Sequence, residues 1–234
     1  MPIYRLPEHH SFPNPAEAED GGLLAVGGDL DPARVLLAYY MGIFPWYSED
    51  QPILWWSPDP RTVLYTDQLK VGRSLRKRVR NNHFRVTLDQ AFDEVIRRCR
   101  TTQRPGQAGT WITEEMEECY STLHNMGFAH SCETWDGDQL VGGLYGISIG
   151  KFFAGESMFF HKPDASKVAF VHLVAQLREW GFPFIDCQMP TEHLQRFGAQ
   201  NISRSAFLSS LQDVVVQDGS PTKWSFSETL QLLP

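Results

Sequence analysis

Residues 129–160 hold three strand-like runs in close succession. Ala129 to Trp135 and Gln139 to Ile149 are separated by Asp136-Gly137, a pair that suits a tight hairpin turn, and Lys151 to Phe160 follows at once. Strands joined this closely lie antiparallel, because a parallel neighbour needs a long crossover. A long helix comes next, Ala165 to Trp180, with Asp164 as its cap and Gly181 as its stop, and then a short buried strand, Phe184 to Gln188. Ahead of the hairpin, the spacing predicts a strand at Thr62–Tyr65, a basic helix at Gln68–Arg80, a strand at Phe84–Leu88 and a helix at Ala91–Arg100. Another helix, capped by Thr113, runs to about Asn125 with Gly127 as its stop, and Ser203–Val216 forms a last one. The order β-α-β-α-α-β-β-β-α-β-α specifies an α/β (α+β) layer fold with a mixed, largely antiparallel sheet.

Upstream, residues 1–30 are rich in Pro, Gly and acids and read as loop. Asp31-Pro32 opens a helix continuing through Ala33–Met41, which Gly42 can end. The prolines on either side of Asp59 form a turn or linker, and a boundary near 62 divides the chain into a small N-terminal domain, 1–62, and a larger one, 63–234. The 234 residues fit one domain plus a small appendage, and 42% hydrophobic residues exclude wholesale disorder. No apolar run approaches the roughly 18 residues of a membrane span, and the first residues lack a basic stretch followed by an apolar one. A cytoplasmic protein without a membrane partner is expected.

Charge is segregated along the chain. The formal net charge is −7, yet Arg61 to Arg104 holds twelve Lys/Arg against four acids, +8, leaving −15 for the remainder. Few of these cations have an acid four residues away, so the stretch, centred on Arg73, Arg76, Lys77 and Arg80, reads as a phosphate-contacting stripe. The competing reading is a pair of solvated helix faces. The acidic remainder would steer a basic ligand.

Most motif matches fail on context. Ser74-Leu-Arg-Lys77 has the SxxK spacing of serine acyl-enzymes but no companion motif. Gly146-Ile-Ser-Ile-Gly150-Lys151 lacks the first glycine and the final Ser/Thr of a phosphate loop and is followed by a strand. Cys119, His124, His130 and Cys132 have no regular metal-ligand spacing, so no metal is expected. A disulfide framework does not fit a chain of this size.

Two groups remain. Glu156, in Gly155-Glu156-Ser157-Met158, lies within a strand flanked by aromatics. Asp186 and Gln188 flank Cys187 on the last strand, and period two places them on one face, with Ile185 and Cys187 on the other. A carboxylate in an apolar strand needs a partner, so Asp186 serves either a structural hydrogen bond or a reaction.

Several segments together resemble the leucyl/phenylalanyl-tRNA–protein transferase family: Gly22 to Leu30, Gly42-Ile-Phe-Pro-Trp46, Ile53-Leu-Trp-Trp-Ser-Pro-Asp-Pro-Arg61, Gly109-Thr-Trp-Ile-Thr113, Gly155-Glu-Ser-Met-Phe159, Ala165-Ser-Lys167 and Ile185-Asp-Cys-Gln188. They fall in order and cover nearly the whole chain. The chain departs from the family at Phe160-His161, at Leu144 and at Arg196-Phe197. The resemblance implies a C-terminal GNAT-like acyltransferase domain that takes its acyl group from aminoacyl-tRNA. The implied reaction moves Leu, Phe or less well Met to the α-amino group of proteins beginning with Arg or Lys, creating an N-degron. Aminolysis of an activated ester calls for no metal, ATP or other cofactor; it needs alignment, a neutral amine and stabilisation of the oxyanion.

On this resemblance Gln188 positions the amine or the ester carbonyl. Asp186 orients Gln188 or takes the released proton, with proton transfer through the ribose hydroxyl as the competing route. Glu156 holds the adenosine or the acceptor amine, and Trp46 and Trp111 offer faces to the terminal adenine. Leu144, Phe153, Met158 and Phe170 form the amino-acid pocket. Arg73, Arg76, Lys77 and Arg80 contact the acceptor stem. Two other classes fit parts of the pattern: an acyl-CoA N-acetyltransferase on the same fold and a non-catalytic RNA-binding module.

Overall fold

The computed structural model describes residues 3–102, 111–219 and 223–233. The N-terminal stretch is not loop throughout. It supplies β1 (Tyr4–Arg5) and β2 (Leu23–Val26), which pair in parallel. Helix α1 (Pro32–Tyr40) follows: the Asp31 carboxylate accepts the Ala33 N–H at 2.9 Å and Pro32 takes the first helical position. Gly42, at φ 77°, turns the chain where a Cβ would lie 2.6 Å from Leu208. Next come β3 (Phe44–Pro45) and β4 (Leu54–Trp56), completing a four-stranded sheet ordered β1-β2-β4-β3. β1 and β2 are too short, and too interrupted by Pro and Gly, to show a period in the sequence.

After Trp56 the chain changes sheets. β5 (Arg61–Tyr65) leads to α2 (Arg73–Arg80), β6 (Arg85–Leu88), α3 (Phe92–Thr101) and α4 (Glu114–Asn125). Helix α2 starts five residues later than its sequence predicts. Residues 66–70 are taken by tertiary bonds instead, with Thr66 N–H donating to Pro183 O and Lys70 N–H to Phe197 O. The meander β7 (Ala129–Asp136), β8 (Gln139–Ile149) and β9 (Phe152–Phe160) is antiparallel, as its turns require.

Helix α5 (Ala165–Glu179) crosses over to β10 (Phe184–Gln188), whose pairing with β9 is the one parallel pairing in the large sheet among the described residues. Asp164 precedes α5 but does not cap it with its side chain. It sits at φ 66°, and its carboxylate is drawn to Lys167 at 2.9 Å and Arg78 at 3.2 Å. Two short elements escape the sequence reading, α6 (Glu192–Arg196) and β11 (Gln200–Ile202), before α7 (Arg204–Val215). The seven-stranded sheet runs β11-β5-β10-β9-β8-β7-β6.

Apolar side chains form one cluster on each face of this sheet. One face carries α2, α5 and the segment 223–233, with Leu75, Phe170, Val174 and Trp224 buried. The other packs α1, α3, α4, α7 and the small sheet, with Tyr39, Val95, Tyr120 and Phe207 buried. Gly142 lets α5 approach β8 closely, since a Cβ there would meet Ala165 Cβ at 2.6 Å. The segment 223–233 is strapped down by Trp224, whose ring lies parallel to that of His130 at 3.9 Å and whose backbone N–H donates to the Asp89 carboxylate. Ser227 exchanges two hydrogen bonds with Gln176. His130 bonds Asp89 at 2.7 Å, and Cys132 donates to the Ala169 carbonyl, so both belong to packing.

Candidate active site

β9 and β10 pair only at Phe153–Ile185 and Ala154–Asp186; beyond Ala154 and Asp186 their parallel pairing stops. A Cβ on Gly155 would find nothing nearer than Asp186 O at 3.8 Å, so space opens between the strands there. Both strands carry a bulge beside this gap. On β9 the register with β8 jumps from Tyr145–Ser157 to Gly146–Gly155, leaving Glu156 as the extra residue. On β10 the register with β5 jumps between Asp186 and Gln188, and Gln188 adopts φ 59°. A bulge re-aims the side chain it displaces. Here the two bulges aim Glu156 and Gln188 at each other, and Gln188 Nε2 donates to Glu156 Oε1 at 2.8 Å.

Asp186 and Gln188 stand on the expected common face, with Ile185 and Cys187 packed on the α5 side. Their contact is not side chain to side chain. Asp186 Oδ1 accepts the backbone N–H of Gln188 at 2.9 Å, holding that residue in its left-handed conformation. The remaining capacity of Asp186 goes to Arg61, whose Nε donates to Oδ1 at 2.8 Å and whose Nη2 donates to Oδ2 at 2.7 Å. Both residues are fully buried. Arg61 also donates to the Gly42 carbonyl at 3.1 Å and lies between the rings of Phe44 and Phe207 at 4.8 and 4.4 Å. The ion pair thus ties the large sheet to β3 and α7. Both oxygens of Asp186 are thus committed to donors, and one of those donors is the backbone of Gln188.

Glu156 sits in a different environment. Tyr120 Oη donates to Glu156 Oε2 at 3.2 Å, and Tyr39 Oη lies 2.5 Å from Tyr120 Oη. Burial pushes the Glu156 carboxyl up to about 7, and the negative charge of Asp186 adds to the rise, while bonds from Tyr39, Tyr120 and Gln188 hold it back. A group with such a value near neutrality can change charge during a reaction.

The four apolar candidates lie in or against the cluster on the α5 face of the sheet. Leu144 and Met158 are cross-strand partners on β8 and β9. Leu144, Phe153 and Phe170 are buried in the α5-side cluster, and Met158 packs against it half-exposed. Phe197, one of the positions at which the chain departs from the family, meets Phe170 edge-on at 5.0 Å. Trp224 covers Phe153 at 5.7 Å. The tryptophans divide. Trp111 packs half-buried on the cluster that holds Tyr39 and Tyr120, whereas Trp46 is 42% exposed and meets Trp56 at 5.6 Å.

The basic stripe is narrower than its sequence indicates. Arg61 is the interior partner of Asp186. Arg97 and Arg98 pair with Glu94, Arg100 with Glu114 and Glu117, and Arg78 with Asp164. Glu94 shares α3 with Arg97 and Arg98, but Glu114 and Glu117 on α4 and Asp164 before α5 lie outside the helices of their partners, so spacing along one helix could not reveal them. Arg85 covers the Trp135 ring at 4.9 Å, and Arg104 falls outside the described residues. Arg73, Lys77 and Arg80, exposed on α2, have no ion pair among the described residues, and Arg76 on the same helix is half-buried.

The positions missed by sequence are Tyr39, Tyr120 and the inward role of Arg61. One signal was available for Arg61. It opens an apolar strand, Asp186 interrupts another, and two lone opposite charges in buried strands satisfy each other.

Comparison with known proteins identifies the family. Residues 63–212 match the family model for leucyl/phenylalanyl-tRNA protein transferase, and residues 28–59 match that for its N-terminal domain. The leucyl/phenylalanyl-tRNA–protein transferase of Anaeromyxobacter dehalogenans (strain 2CP-C) is 57% identical over 224 residues, 96% of either chain. Those of Myxococcus xanthus (strain DK1622) and Stutzerimonas stutzeri (strain A1501) are 56% and 60% identical, over 96% and 86% of this chain and 97% and 89% of theirs. By these matches, which span nearly the whole of its length, the chain belongs to the leucyl/phenylalanyl-tRNA–protein transferase family.

Proposed function

We propose that this protein transfers Leu, Phe and, less well, Met from the 3′ end of aminoacyl-tRNA to the α-amino group of proteins beginning with Arg or Lys. The reaction takes place in the cytoplasm and marks the product for degradation. No helix among the described residues is long and apolar enough to cross a membrane. The observation that carries the proposal is the Gln188–Glu156 contact at the open ends of β9 and β10, with an apolar wall behind it, in a chain of this family. The proposed division into domains 1–62 and 63–234 lies close to the change of sheet between Trp56 and Arg61, with β5 spanning it.

The donor ester enters between the strands with its amino-acid side chain against Leu144, Phe153, Met158 and Phe170. An apolar wall of this kind separates side chains differing by one methylene by only about 1–3 kcal/mol, so Leu, Phe and Met overlap. The Gln188 amide aligns the ester carbonyl or the amine. The ionised Glu156 carboxylate holds the acceptor's α-amino group and can receive its proton on the way to the leaving ribose oxygen. Asp186, fixed by Arg61, keeps Gln188 in place. Trp111 and Trp46 offer faces for the terminal adenine, and Arg73, Arg76, Lys77 and Arg80 meet the acceptor stem by phosphate contact.

Incubation with Phe-tRNA and a peptide beginning with Arg, followed by mass measurement, tests the reading directly. The peptide should gain one phenylalanyl residue. Turnover of labelled acetyl-CoA without tRNA would assign the chain to acetyl transfer instead.

The stripe gives a separate test. Replacing Arg73, Lys77 and Arg80 with Ala should raise the KM for full-length aminoacyl-tRNA and flatten its salt dependence, by roughly 0.7–0.9 in log–log slope per lost phosphate contact. Phenylalanyl-adenosine, which lacks a stem, should react unchanged. If both donors suffer alike, α2 does not bind the stem.

A further inference from the structure

Tyr39 on α1 and Tyr120 on α4 belong to none of the motifs above, yet both are almost fully buried and end at the site. Tyr120 donates its hydroxyl proton to Glu156, so its oxygen is free to accept, and the 2.5 Å contact is Tyr39 donating to Tyr120. The chain of donors therefore starts in the helix of the small sheet and ends on the carboxylate that faces Gln188. Two phenylalanines would fill the same volume with no polar group to satisfy, so packing alone does not account for the hydroxyls.

We infer that Tyr39 and Tyr120 are positioning residues: they aim Glu156 at Gln188 and favour its ionised form, so that α1 completes the transfer centre. The inference rests on the proposed role of Glu156. The groups facing Glu156 are Tyr39 from α1, Tyr120 from α4 and Gln188 from β10. Behind them lie Asp186, already paired with Arg61 of β5, and Tyr145 of β8, edge-on to Tyr120 at 5.6 Å. Burial pushes the Cys119 thiol up to about 12 and raises that of Cys187 as well, so neither carries charge near neutrality. The donors that oppose the desolvation of Glu156 are thus the two tyrosines and Gln188.

The sign of the effect follows. Donors to a carboxylate favour its charged form, so losing one raises its pKa and moves the rise of activity to higher pH. Tyr39→Phe and Tyr120→Phe keep the rings and remove one hydroxyl each. Single-turnover transfer from phenylalanyl-adenosine to an Arg peptide should show a lower limb near pH 7 that moves up by about one unit in either variant, the scale of one hydrogen bond to a charged group. The limb from the peptide's own amine, near pH 8, belongs to the substrate and stays in place.

Glu156→Gln should abolish the lower limb, and adding Tyr39→Phe to it should shift nothing further. A loss that is uniform across pH, or no loss at all, in Tyr39→Phe and Tyr120→Phe overturns the inference and leaves the tyrosines as packing. A Glu156→Gln enzyme with wild-type rate and an intact lower limb would instead remove the role of Glu156 itself.

Discussion

Arg61→Ala is expected to destabilise the protein by about 3–5 kcal/mol, the cost of leaving a buried charge without its partner. Asp186 is fully buried, and its two oxygens would lose two of their three donors. The Gly42 carbonyl and the rings of Phe44 and Phe207 would also lose contacts. In a chain of this length each kcal/mol lowers Tm by roughly 2–4 °C, so the loss should be on the order of 10 °C, readable by calorimetry. The double variant Arg61→Met/Asp186→Leu removes both charges and should recover most of that stability, since replacing a whole buried pair by apolar residues is often neutral. It should not recover transfer, because nothing then accepts the Gln188 N–H. A double variant that is both stable and active would show that the pair has no part in arranging Gln188. An Arg61→Ala protein that melts like the parent would mean that the pair contributes nothing to the fold.

Gln188→Ala should slow transfer by about 10²–10³-fold, the range for removing one aligned donor from an acyl-transfer site. The residue at 188 stays left-handed and the backbone bond to Asp186 survives, so the fold should be little changed. The loss should fall on kcat, with the KM for aminoacyl-tRNA nearly constant, because the stem and the apolar wall lie elsewhere. Gln188→Glu is a sharper control. It keeps the length but replaces a donor to Glu156 with a second carboxyl, so activity should fall at neutral pH and its rise should move to higher pH. Matched losses in donor binding and rate for Gln188→Ala would place Gln188 with the packing residues.

The β7–β9 meander, α4 and α7 were legible because each declares itself locally, by an Asp-Gly turn or by a Thr or Ser cap whose hydroxyl accepts an N–H three residues on. Asp186, Gln188 and Glu156 were legible as polar groups out of place in apolar strands. What stayed hidden depends on distant partners. The start of α2 is set by Thr66 and Lys70 bonding to residues more than a hundred positions later. The salt bridges that quench Arg78 and Arg100 come from α4 and the residue before α5. Tyr39 and Tyr120 look like ordinary aromatic core in sequence; only their placement beside Glu156 distinguishes them. The two bulges also cannot be read from periodicity, since each shifts a register that only the neighbouring strand defines.

The position of β5 bears on how the chain is made. It is synthesised before the other strands of the large sheet, yet its neighbours on either side are β10 and β11, and Thr62 meets Asn201 across 139 positions. At about 5–20 residues per second, a ribosome would keep β5 waiting on the order of ten seconds for both edges to be covered. Throughout that wait Arg61 lacks its counter-charge and an apolar strand stands open to other nascent chains. Its late partners also raise the contact order, which slows closure of the sheet after release. The protein should therefore be a frequent client of holding chaperones during translation, and slowing elongation downstream of β5 should lower its soluble yield.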